Sequence, residues 1–197
     1  MLTSHTLPRI AVRAIGGGLF LMAFFTLMWA GIAEGGLQGS DHWLVLVAFS
    51  VLCIVFVIGG IRLFIRSKDF PVSMSEEDKL EGKRMGKWYA IIFGIEGTLI
   101  PVVCVALLLL KQERFILPAI ALVVGLHFYP MASVFNRKLD YYLATWVCLV
   151  AITCICMMLY TGYPQTMIQA CLGIGVAVAT SAYGIYMMLE GNRMLKQ

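Results

Sequence analysis

Hydrophobic positions in this chain come in long unbroken runs instead of alternating between core and surface. Crossing the roughly 30 Å hydrocarbon core of a bilayer takes about 20 helical residues. Six stretches meet that length: 14–33, 43–61, 88–110, 115–135, 141–163 and 165–189. Ionisable side chains enter only the third, as Glu96, and the fourth, as His127. The pattern predicts an all-α, polytopic membrane protein in which residues 1–197 form one six-helix transmembrane bundle. Polar positions collect between the runs. The outer connectors, 34–42, 111–114 and the turn at Gly162-Tyr163-Pro164, are too short to build a binding domain. The longest connector, 66–87, carries six basic and five acidic residues. Within it Ser75-Glu76-Glu77-Asp78 reads as a capping box opening a short helix before the third span.

Composition agrees with the pattern. The chain is 60% hydrophobic and 13% charged, against about half and a quarter in soluble domains. That excludes a soluble globular fold and a disordered chain. Charge then sets direction, because lysine and arginine gather on the cytoplasmic side. Arg9, Arg13, Arg62, Arg66, Lys68, Lys79, Lys83, Arg84, Lys87, Arg137, Lys138, Arg193 and Lys196 fall on one side and only Lys111 and Arg114 on the other, 13 against 2 of the 15 basic residues. Both termini are therefore expected in the cytoplasm. The net charge of +4 is an orientation signal and implies no nucleic-acid partner. Trp29, Trp43, Trp88 and Trp146 lie near span ends and are expected in the interfacial belts. The first span follows Arg9 and Arg13 and ends near Gly31-Ile32-Ala33, as a signal peptide does. It is long enough to cross, and we expect it to be retained.

Small residues mark packing faces. Gly16-Gly17-Gly18 lies in the first span and Gly59-Gly60 in the second. In the sixth, Gln169, Gly173, Ala177, Thr180 and Gly184 share one helical face, which suits close helix packing in lipid; a substrate-lining face is the alternative. All six cysteines lie inside spans and are expected unbridged, as small hydrophobes. The one pair at matching depth for a disulfide is Cys156 with Cys171. Cys154 and Cys156 face different ways on a helix and make no metal pair, so we expect no metal and no cofactor.

One constellation carries chemistry. An ionisable side chain deep in a span is costly and marks a functional site by default. Glu96 and His127 each lie eight residues from the inner end of their span, about 12 Å deep. The two spans form a hairpin, so an acid and an imidazole are expected at one level, facing each other in a polar pocket open to the cytoplasm. Pro101 frees the carbonyl of Gly97 and Pro130 that of Leu126, and both are expected to kink their helices. Thr98, Tyr129, Ser133 and Thr180 are candidate hydroxyls for this pocket, with Arg62 and Arg13 on its cytoplasmic flank. The structural alternative is a pair that only locks the hairpin. The functional alternatives are a site for protons or ions and a site that orients a ligand.

The segment Gly125-Leu126-His127-Phe128-Tyr129-Pro130-Met131-Ala132 resembles a Gly-Leu-His-Phe-x-Pro-x-Ala segment of small, uncharacterised bacterial membrane proteins with about six helices. The resemblance implies a bacterial inner membrane and marks His127 and Pro130; it implies no activity. Intramembrane protease signatures, paired haem histidines and phosphate loops are all missing from the sequence, so an enzyme is not expected. Two readings remain. The first is a transporter, permease or membrane-embedded substrate-binding subunit for a small molecule or ion. The second is a non-transport membrane protein that binds or regulates a cytoplasmic partner through 66–87; a homo-oligomer is a further candidate assembly.

Overall fold

Each apolar run becomes one helix. The computed structural model describes residues 8–72 and 76–196. Its helices are α1 (Arg9–Leu37), α2 (Leu44–Arg66), α3 (Glu76–Leu109), α4 (Ile116–Phe135), α5 (Lys138–Tyr160) and α6 (Gln165–Met194). Short 3-10 turns at Ser67–Asp69 and Glu113–Phe115 complete the order, and all six helices are long and apolar enough to cross a membrane. α1, α2, α3 and α6 overrun their apolar stretches, because hydropathy marks the bilayer whereas backbone hydrogen bonding continues into water.

The largest overrun corrects the sequence reading of 66–87. Residues 76–87 are no separate short helix; they run continuously into the third span as one 34-residue helix. At 1.5 Å per residue α3 is about 51 Å long, well beyond a bilayer core. Its exposed Lys79, Glu81, Lys83, Arg84 and Lys87 stand on the overhang. Ser75, the capping residue expected from the sequence, falls outside the described residues.

α1 and α2, α3 and α4, α4 and α5, and α5 and α6 pack antiparallel, whereas α2 and α3 have no substantial contact. The most extensive contact joins α1 to α6, followed by α1 to α2 and α4 to α5; α5 packs on α6, and α3 packs only on α4 among the helix pairs with substantial contact. All 13 basic residues on the predicted inner side therefore gather at one end of the bundle, where α1, α3 and α5 begin and α2, α4 and α6 end. Lys111 and Arg114 stand at the other end.

The α1–α6 seam shows why small residues lie where they do. A Cβ added at Gly36 would come within 2.5 Å of backbone atoms of Ala170 and Thr166, and one at Gly173 within 2.5 Å of the Ala33 nitrogen. Only hydrogen fits there. Gln169 donates to the Ile32 carbonyl (3.2 Å) and Thr26 to the Thr180 hydroxyl (2.9 Å). Gly184 lies against the ring of Phe56. The face predicted from its spacing is thus a packing face. Among the tryptophans, Trp43 and Trp88 are exposed, whereas Trp29 is only 2% exposed. Trp29 belongs to the core, since a span end by sequence is a helix interior once α1 continues to Leu37.

At the basic end Arg9 donates to the carbonyls of Ser67 (3.1 Å) and Lys68 (2.9 Å), and Arg13 to the Ser67 hydroxyl (3.2 Å). Two guanidinium groups thus satisfy carbonyl and hydroxyl groups just past the end of α2, where positive charge is favoured. All six cysteines are free thiols.

Candidate functional site at the α3–α4 interface

Glu96 and His127 meet as their spacing predicts. The Oε1 of Glu96 is 3.4 Å from Nδ1 of His127, and the side chains are only 12% and 10% exposed. At that separation the contact is an ion-pair distance and a poor hydrogen bond. Glu96 Oε2 and His127 Nδ1 have no hydrogen-bond partner among the described residues. Two charge-neutral forms of the pair exist, carboxylate with imidazolium and carboxylic acid with imidazole. They differ only in where one proton sits.

The walls around the pair are aromatic, in contrast to the hydroxyl-lined pocket the sequence suggested. The His127 ring stacks on Phe128 at 4.3 Å and tilts against Phe93 at 5.4 Å. Phe93 stacks on Tyr89 (4.3 Å), which meets Phe135 edge-on at 6.2 Å. Tyr89 stands two turns before Glu96 on the same face of α3. The i−7 spacing from Glu96 would have placed Tyr89 on this face from the sequence.

The expected hydroxyls go elsewhere. Thr98 stands two residues past Glu96, about 200° around the helix, and donates to the Gly94 carbonyl of its own helix (2.8 Å). It lines an open groove with Ala90, Gly94 and Val102 on the opposite face of α3. Tyr129 bonds to Thr145 of α5 (3.1 Å), Thr180 is held in the α1–α6 seam, and Ser133 is exposed. Arg62 is an exposed residue of α2, which packs on α1 and α6, and Arg13 is engaged with Ser67, so neither flanks the pair.

Pro101 and Pro130 lie inside unbroken helices, and both are exposed, as are Gly97 and Leu126. The freed carbonyls therefore belong to outward faces and do not line a shared site. No group of three or more metal-ligating side chains forms among the described residues.

No family model, curated protein or solved structure matches this chain.

A second polar cluster lies toward the basic end, and sequence reasoning missed it. Asp140, in the first turn of α5, is fully buried at 0% exposure, and neither of its carboxylate oxygens has a hydrogen-bond partner among the described residues. Arg137 and Tyr183 stand beside it, and Arg137 donates to the Tyr183 hydroxyl at 3.2 Å. Asp140 sits just outside the apolar run 141–163, so hydropathy assigned it to the connector. Its adjacency to Arg137 at i−3 was the available signal.

Proposed function

We propose that this chain is a small transport protein of a bacterial inner membrane, with both termini cytoplasmic and Glu96–His127 as its proton-handling site. The observation that carries the reading is the buried acid–imidazole contact between two membrane-spanning helices. Two ionisable groups are costly in hydrocarbon, and a pair that only locked a hairpin could be replaced by apolar side chains. Histidine is the side chain whose ordinary titration lies nearest neutrality, so a shared proton can be exchanged under cellular conditions. The site acts as a proton-coupling element for a small-molecule or ion substrate.

In proteoliposomes containing a pH-sensitive dye, an imposed membrane potential should drive proton entry above the rate of empty vesicles. Glu96→Gln keeps the shape and removes the charge, and His127→Gln removes the titrating ring; each should return the rate to that of empty vesicles. Wild-type flux no greater than that of empty vesicles, or flux unchanged in both variants, would overturn the proposal.

Orientation has its own test. In a cysteine-free background, a membrane-impermeant thiol reagent applied to intact cells should label Lys111→Cys and spare Lys83→Cys. The reverse pattern would invert the topology.

The second reading, partner binding at the cytoplasmic face, is favoured by the charged overhang of α3. It expects a cytoplasmic protein to co-purify only when residues 75–87 are intact.

A further inference from the structure

The Asp140 cluster has no part in the Glu96–His127 contact, yet it has the features of a working site. Its carboxylate is enclosed between α5 and α6 with both oxygens unpartnered among the described residues. A fully desolvated carboxylate is expensive unless it is hydrogen-bonded or neutralised. The nearby cation does not neutralise it directly. Arg137 makes no ion pair within 4.0 Å of Asp140 among the described residues, and its guanidinium donates instead to the Tyr183 hydroxyl. Tyr183, only 4% exposed, accepts that bond and keeps its own O–H proton available. The carboxylate beside it is the unpartnered acceptor. Arg137, Tyr183 and Asp140 therefore form a row, with the Tyr183 hydroxyl between the guanidinium and the carboxylate.

The charged and titratable groups bearing on Asp140 are Arg137, from the connector between α4 and α5, and Tyr183 of α6; Tyr89 of α3 in turn lies within reach of Tyr183. The first turn of α5 adds the positive end of a helix, which favours the ionised form; enclosure favours the neutral form.

Position gives the row its meaning. It stands at the end of the bundle that gathers the basic residues, and a single ring separates it from the deeper pair. Phe128 stacks on His127 at 4.3 Å and meets Tyr183 edge-on at 5.8 Å.

We propose that Asp140, with Tyr183 and Arg137, is a second proton-binding site of this protein, placed between the Glu96–His127 pair and the basic end of the bundle. Asp140 takes up and releases the proton, Tyr183 positions it, and Arg137 fixes the hydroxyl of Tyr183. The site stands on its own geometry and does not require that the deeper pair conduct.

The test is infrared difference spectroscopy of the full chain in lipid bilayers, cycled between acid and alkaline buffer, with aspartate carbons isotopically labelled. An isotope-shifted carboxylic-acid band from a buried aspartate should appear and disappear with pH. It should vanish in Asp140→Asn and persist in Glu96→Gln, which separates this site from the deeper pair. Tyr183→Phe should keep the band but move its frequency and its pH midpoint. If no buried aspartate band titrates in the labelled wild-type protein, Asp140 is a fixed structural charge and the proposal falls. A band unaltered by Tyr183→Phe would equally overturn it. The labelled wild-type measurement needs no variant, so a poorly folding Asp140→Asn protein leaves the test intact.

Discussion

Replacing Glu96 with leucine should destabilise the protein by about 1–3 kcal/mol, the cost of leaving the buried imidazole of His127 without its polar partner. The effect should be concentrated at α3. That helix has substantial packing only on α4, and the contact between Glu96 and His127 is the one polar link between them among the described residues. Thermal unfolding in detergent would read the loss. Val102→Ala, on the exposed face of α3, is the control and should change the midpoint little. The double variant Glu96→Leu/His127→Leu should recover part of the stability, because two apolar side chains at one level replace a polar contact with packing. A double variant as unstable as the sum of the singles would mean that the pair is not coupled. Stability recovered without proton flux would separate the structural contribution of the pair from its proposed function.

The second large effect is expected where no ionisable group is involved. Gly36→Ala and Gly173→Ala each add one methyl group where the nearest atoms are backbone of the facing helix. Overpacking costs about 1–3 kcal/mol, and these sites should reach the upper end, since neither obstacle is the flexible end of a side chain. Gly17 has nothing within 4 Å of its added Cβ, so Gly17→Ala should leave the midpoint unchanged or slightly raised. The comparison of three glycine-to-alanine changes in two helices isolates the seam from helix propensity. Equal midpoints for all three would show that α1 and α6 do not approach as closely as described.

Much of this architecture was legible in the sequence because hydrocarbon imposes simple rules. Apolar length fixed the number of helices, and basic residues divided the two ends. The spacing of Gln169, Gly173, Ala177, Thr180 and Gly184 identified the face of α6 that meets α1 and Phe56. Equal depth on two sequential helices was enough to bring Glu96 to His127. Rotation about each helix was harder to judge. Thr98 and Thr180 sit at plausible depths but on other faces, and depth alone cannot distinguish them from a true neighbour. Asp140 was missed for the opposite reason: hydropathy is weakest at span ends, where one residue more of burial leaves no trace in the pattern. Trp29 was misplaced by the same uncertainty at the other end of the bundle.

The α1–α6 seam also bears on biosynthesis. Helix α1 finds its most extensive partner in α6, which is synthesised only after α2 through α5. While α2 through α5 are being inserted, α1 can form its hairpin with α2, but the surface around Gly36, Ala33 and Thr26 must wait against lipid or a chaperone. A nascent chain arrested before residue 165 should therefore be a substrate for membrane quality control, and synthesis of α6 is the step that lets the waiting face of α1 close.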